Sequence, residues 1–384
     1  MKVSNMHFVL AALVVVLLLA VGALVLRVGP FGPSGVGVNP DQNDQSNPKG
    51  SVRLVLLSDS SCAKCVALDG VESALTDQNL VISRTQQLDY QSSEGAVFVS
   101  QYTIARVPAV IMIANAAAVP VLSKGFSSRG TLQTGETVFV YDDPPPVFVD
   151  VATKKVRGIV DVVVLFDSNC SQCRKPLSQA EVASAGLIVG DFALVDLNSV
   201  RGAELVSRYK LTRVPSVVFS SEASLYTAFL EKVALSNPDE TDGSFVLRDY
   251  PPVYYDLVSK RLVGITHLVL LGASACKSCY DVNIHVQVLQ TAFGVMVNTP
   301  EYVDAFSAQG KKLASDDNIS KVPTMILSGD VNAYAGLLEA WPDLGFVAPD
   351  GALVFSEFEA MGGDLNIFDL DQNKMVLITG ASAS

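Results

Sequence analysis

Three Cys-x-x-Cys pairs hold all six cysteines of the 384-residue chain: Cys62/Cys65, Cys170/Cys173 and Cys276/Cys279. A disulfide-stapled chain scatters its cysteines, whereas a dithiol redox centre or a metal site gathers them at short spacing. Two intervening residues at a helix start would bring both sulfurs within bonding distance. The helix N-terminus would then favour the first sulfur as thiolate. A thiolate attacks a disulfide, and its neighbour resolves the mixed disulfide that results. Two other chemistries fit the same pairs. Zinc takes four thiolates in a tetrahedron, which would require two pairs from different parts of the chain to meet and would leave the third idle. Stable structural disulfides in a binding scaffold are the other.

The elements that must position these pairs recur with them. VRLVLLSDSSCAKC from Val52, VDVVVLFDSNCSQC from Val160 and THLVLLGASACKSC from Thr266 each read as a buried strand, a short polar turn and a cysteine pair. The first cysteines lie 108 and then 106 residues apart. That period is one small domain per repeat, far above the 20–50 residues or so of a solenoid unit. About 40 residues beyond each pair comes a basic residue, then Val-Pro, then an apolar strand. The three copies are Arg106-Val107-Pro108, Arg213-Val214-Pro215 and Lys321-Val322-Pro323. Between these landmarks the pattern is strand then helix, as in FALVDLNSVRGAELVSRYK, whose strand ends in Asp196. VFVDVATKKVRG from Val147, VYYDLVSKRLVG from Val253 and NIFDLDQNKMVLITG from Asn366 close each repeat as a hairpin. Alternating strands and helices indicate an α/β sheet.

Ahead of the repeats, Phe8 to Val28 is an apolar run of about twenty residues with Arg27 as its one charge, long enough to cross a bilayer as a helix. A cleaved signal peptide is the rival reading, but its apolar core is normally about 7–15 residues. The segment is therefore read as an uncleaved signal-anchor, with the bulk of the chain outside the cytoplasm. The Gly-, Pro- and Asn-rich stretch that follows is a tether. The expected organisation is an anchor over 1–29, a linker over 30–50, and α/β domains over 51–157, 158–264 and 265–384. A formal charge of −12 argues against nucleic-acid binding, which needs a basic surface.

A buried strand, a C-x-x-C pair and an X-Pro in register about 40–45 residues later resemble the thioredoxin superfamily, over roughly two-thirds of each repeat. The resemblance implies three tandem thioredoxin-like α/β/α sandwich domains, in the manner of a protein disulfide isomerase. It implies cis prolines at Pro108, Pro215 and Pro323 lying against the disulfides, with Val107, Val214 and Val322 beside them, presenting backbone to a substrate thiol. Cys62, Cys170 and Cys276 would be nucleophiles, and Cys65, Cys173 and Cys279 would resolve. Partners would be proteins with cysteines and a membrane or soluble redox partner; no cofactor and no metal is implied.

The chain departs from that family at several points. Ser61, Asn169 and Ala275 stand where an aromatic residue is common. Leu56, Val164 and Leu270 stand where a buried acid often shuttles the proton. Asp59 and Asp167, three before the cysteine, are read as turn or capping residues. Lys64 and Lys277 lie inside their motifs and are expected to favour the thiolate, while Arg174 and Lys175 follow the second pair. His7, His267 and His285 do not recur between repeats and are read as structural. Pro144-Pro145-Pro146 and Pro251-Pro252 are read as rigid connectors ahead of the hairpins.

Overall fold

The computed structural model describes residues 50–235, 237–239 and 242–379. The apolar run at 8–28 lies outside them, and among the described residues no helix is long and apolar enough to cross a membrane.

The first expected strand, Gly50–Ser58, is an inner strand of a five-stranded sheet. It pairs in parallel with Leu80–Asp89 on one side and antiparallel with Ala109–Ala114 on the other. Thr137–Tyr141 and Ser128–Thr131 complete the sheet. The second copy has the order Val189–Asp196, Val160–Phe166, Ser216–Phe219, Phe245–Leu247. The third runs Glu301–Asp304, Thr266–Gly272, Thr324–Gly329, Leu353–Phe355, Gly345–Val347. One parallel pair among antiparallel neighbours thus recurs three times.

These strands lack polar alternation because both of their faces are covered. In the first repeat Val52, Leu54 and Leu56 pack with Val71, Leu75 and Leu122, from the helices Val71–Thr76 and Val119–Leu122. Val55 and Leu57 face the opposite way, toward Tyr90, Tyr102 and Ile104 beside the helix Ser93–Tyr102. Helix, sheet and helix form three layers. The mixed α/β class expected from the sequence is what the chain adopts.

Each closing hairpin forms a small second sheet with the Val-Pro strand of its own repeat. Phe148–Asp150 pairs with Arg106–Val107, Tyr254–Asp256 with Arg213–Val214, and Leu365–Asp369 with Lys321–Val322. The proline runs ahead of the first two hairpins carry cis peptide bonds at Pro146–Val147 and Pro252–Val253. Sequence reading saw stiffness there and missed the isomer.

Successive repeats are joined by one recurring set of bonds. Glu222 accepts from the Gly158 amide at 2.6 Å and from Arg157 Nε at 2.8 Å, and Tyr226 donates to the Gly158 carbonyl at 2.6 Å. Asp330 accepts from the Gly264 amide at 3.2 Å and from Arg261 at 3.3 Å, and Tyr334 donates to the Gly264 carbonyl at 2.7 Å. Both glycines have a left-handed φ, near +92° and +95°, and a Cβ would stand 2.5 and 2.4 Å from Pro146 and Pro252. Neither position tolerates a side chain.

Candidate functional site: three disulfide turns beside Val-Pro

The approach to each cysteine pair is held by an acid at the end of the neighbouring strand. Asp89, Asp196 and Asp304 accept from the amides of Ser60, Ser168 and Ser274 at 2.9, 3.1 and 3.1 Å, two residues before each first cysteine. Those bonds hold the carboxyls below the ordinary carboxylate range. At Asp89 the Ser60 amide contributes most, and at Asp196 the Ser168 hydroxyl does. At Asp304 burial pushes upward, and the hydroxyl and amide of Ser274 outweigh it.

The same acids begin a thrice-repeated D-x-x-S-x-x-G: Asp89-Ser92-Gly95, Asp196-Ser199-Gly202 and Asp304-Ser307-Gly310. Each serine caps the next helix by accepting from the glycine amide at 3.0 Å. Such a cap contributes about 1 kcal/mol. Each glycine sits so close to the strand end that a Cβ would fall 2.1, 2.2 or 2.1 Å from the aspartate carbonyl oxygen. Sequence reading used Asp196 only as a strand end; laying the repeats over one another at these positions would have shown the motif.

The cysteine pairs lie in turns, which corrects one expectation. The following helices begin at Val71, Gln179 and Ile284, five or six residues past the second cysteine. The cause is a tether on the residue after each pair: Val66, Arg174 and Tyr280 donate their amides to the carbonyls of Val147, Val253 and Asn366, at 3.0, 2.7 and 3.3 Å. Beyond it, Gly70, Pro176 and Asn283 delay the helix, with Ser178 and Glu181 forming a capping box in the second repeat. No helix end therefore faces the first sulfur. In the second repeat the Cys173 amide donates to Cys170 Sγ at 3.1 Å.

That tether draws the cysteines toward Val-Pro. The accepting residues Val147, Val253 and Asn366 lie two before Val149, Tyr255 and Phe368, which pair with Val107, Val214 and Val322. The peptide bonds from these valines to Pro108, Pro215 and Pro323 are all cis. Cys62 and Cys65 pack against the cluster containing Val107, and Cys276 and Cys279 belong with Val322. Each pair is closed as a disulfide with Cα atoms 5.4 Å apart. Among the described residues no group of three or more His, Cys, Asp or Glu could hold a metal ion.

Asp59 and Asp167 are turn residues, as expected. Asp59 accepts from the Ser61 amide at 2.8 Å and Asp167 from the Asn169 amide at 2.9 Å. The Lys64 ammonium donates to the Val189 carbonyl of the second repeat at 3.2 Å. Arg174 likewise donates to the carbonyls of Pro252 and Gly294, linking the second disulfide turn to the third repeat. Burial presses its pKa down.

The three turns differ in access. Cys62 and Cys170 are half-buried, whereas Cys276 is 6% exposed; nearby, Ser278 donates to Met375 Sδ at 3.4 Å. Behind the third turn lies a polar pair that the other repeats lack. The Tyr280 hydroxyl donates to the Pro323 carbonyl at 2.6 Å and meets His285 Nε2 at 2.9 Å. Burial pushes the tyrosine pKa up and the histidine down to about 4.

No family model matches the chain, and no curated protein matches it. Among solved structures it is similar to the NTD N/C domain of alkylhydroperoxide reductase AhpF from Enterococcus faecalis, with 14% identity and a TM-score of 0.13, covering 45% of this chain and 83% of that one. It is also similar to the zinc-bound form of human ERp44, with 11% identity and a TM-score of 0.14, covering 79% of this chain and 90% of that one. ERdj5 form II follows at 12% identity and a TM-score of 0.14, covering 75% of this chain and 38% of that one.

Proposed function

We propose that the chain is a membrane-anchored thiol–disulfide oxidoreductase or isomerase for protein cysteines, with three thioredoxin-like domains over 51–157, 158–264 and 265–384 outside the cytoplasm. The observation that carries this reading is the shared geometry of the three sites. In every repeat one hairpin strand ties the disulfide turn and the cis Val-Pro together. In the reduced form, the Cys62 or Cys170 thiolate attacks a substrate disulfide, forming a mixed disulfide and releasing one substrate thiolate. Cys65 or Cys173 then displaces the second substrate thiolate, and the pair is left oxidised while the substrate is reduced. Run backwards, the same steps oxidise a substrate dithiol. Val107-Pro108 and Val214-Pro215 would present backbone to the substrate segment.

A structural role is the second reading, and the burial of Cys276 favours it at the third site. Redox titration of the chain in glutathione and dithiothreitol buffers, with maleimide mass-tagging of each pair, separates the two. Potentials between about −120 and −270 mV place a site among exchange enzymes, and values below about −300 mV mark a structural disulfide.

A further inference from the structure

The joint between the second and third repeats differs from the joint before it by one side chain. Both are closed by a tyrosine. Tyr226 accepts from the Ile188 amide at 3.2 Å and donates to the Gly158 carbonyl. Tyr334 accepts from the Met296 amide at 3.3 Å and donates to the Gly264 carbonyl. At the second joint Arg174, next in the chain after Cys173, joins in: Nε donates to the Pro252 carbonyl at 2.7 Å, and Nη2 donates to the Gly294 carbonyl of the third repeat. Gly264 lies against Pro252. Arg174, Gly294, Met296, Tyr334, Gly264 and Pro252 thus form a closed ring. At the first joint the corresponding residue is Val66, which has no side-chain donor, and the exposed Lys64 reaches Val189 instead.

Among the described residues no carboxylate pairs with Arg174, and burial lowers its pKa, so carbonyls alone hold its charge. Hydrogen bonds from a charged donor are short and directional. The bond to Gly294 therefore depends on where the Arg174 backbone stands. The disulfide fixes that backbone from one side, holding Cys170 and Cys173 with Cα atoms 5.4 Å apart. The Arg174 amide, bonded to the Val253 carbonyl at 2.7 Å, fixes it from the other. Reduction removes the first restraint and leaves the second.

We propose that Arg174 is a positioning residue that makes the docking of the third repeat depend on the Cys170–Cys173 disulfide: the joint is tight while the pair is oxidised and loosens when the bond opens. A dithiol such as dithiothreitol opens it, giving up two electrons and two protons to make two cysteine thiols while closing to its own disulfide. The proposal needs the pair open or closed and does not rest on exchange with substrates. Coupling is reciprocal, so the joint must favour the oxidised pair by the factor with which oxidation tightens the joint. Hydrogen exchange at the Met296 amide reads the joint. Cys170→Ser/Cys173→Ser, open whatever the potential, should speed that exchange about tenfold over the oxidised native chain, the worth of one hydrogen bond from a charged donor. Arg174→Gln should do the same, and the two changes together should add little. Dithiothreitol titration with maleimide mass-tagging reads the reverse direction. Arg174→Gln should move the second pair about tenfold toward the reduced form, about 30 mV, and leave Cys62–Cys65 in place. An arginine that merely packs between repeats would not move that balance. Unchanged Met296 exchange in the serine variant overturns the proposal. So does an Arg174→Gln pair that stays put or shifts toward the oxidised form, the latter meaning that the guanidinium acts on the thiolate. The two arms use different variants, so failure of either to fold leaves the other decisive. A native pair as resistant to reduction as a structural disulfide, with the coupling intact, would support this proposal and defeat the exchange reading.

Discussion

Acidification from about pH 7 to about pH 5 should destabilise the third repeat by about 2 kcal/mol through His285 alone. Burial beside Phe355 and Tyr280 lowers the imidazole pKa from 6.5 to about 4. In the unfolded chain the ring titrates near 6.5 or so. Because the folded pKa is depressed, the unfolded state binds more protons between those two values. The contribution of His285 is therefore fully present above about pH 6.5 and is lost as pH falls toward about 4. At about pH 5 nearly all unfolded rings carry the proton and few native ones do, which gives the figure above. Asp317 acts in the opposite sense. Its buried carboxyl is pushed up by desolvation first and then by Asp350, so acid favours the folded form there. His285→Gln removes the titration, can keep a donor toward Tyr280, and leaves Asp317 as a common background. Urea unfolding followed by Trp341 emission should show the native chain losing about 2 kcal/mol more than the variant over this pH interval. A difference under about 0.5 kcal/mol would mean that water reaches the ring and that the burial argument is wrong.

Gly95→Ala should cost about 2 kcal/mol despite alanine's better helix propensity, because its Cβ meets the Asp89 carbonyl oxygen at 2.1 Å. Gly70→Ala, with nothing within 4 Å, should be nearly neutral. Hydrogen exchange of first-repeat peptides distinguishes them, and equal effects would remove the close-approach account. In a dithiothreitol time course with mass-tagging, Cys276–Cys279 should open slowest, on the order of tenfold behind the other pairs. Three equal rates would show that the burial of Cys276 does not limit access.

The repeat period, the strands and the closing hairpins were legible because each rests on a local pattern written three times, whereas the cis bonds after Val107, Val214 and Val322 followed from the resemblance to the thioredoxin superfamily. The helix start was misread because the amides of Val66, Arg174 and Tyr280 are held by carbonyls some 80 residues or more away in sequence, and no local pattern reports a partner at that distance. The contact of Lys64 with the Val189 carbonyl was hidden for the same reason, since its acceptor belongs to the next repeat. His285 looked ordinary by spacing. Its environment comes from Tyr280, Pro323 and Phe355, which only the folded chain assembles. The D-x-x-S-x-x-G acids could have been read from sequence, but they lie between the landmarks that drew attention.

The joints also write an order into the chain. Seven residues after each cis proline stands the residue that grips the start of the repeat: Asn115, Glu222 or Asp330. Asn115 is neutral and accepts from the amides of Ser51 and Ala118. Glu222 and Asp330 carry charge and close on Arg157 and Arg261, the ends of the preceding hairpins. Tyr226 and Tyr334 reach back in the same way, where the first repeat has Val119. Shuffling would therefore not be neutral. The second repeat moved to the front would leave the Glu222 carboxylate without Arg157, and the first repeat moved to the middle would offer an arginine only an amide. The array has a direction, and its three copies are not interchangeable parts.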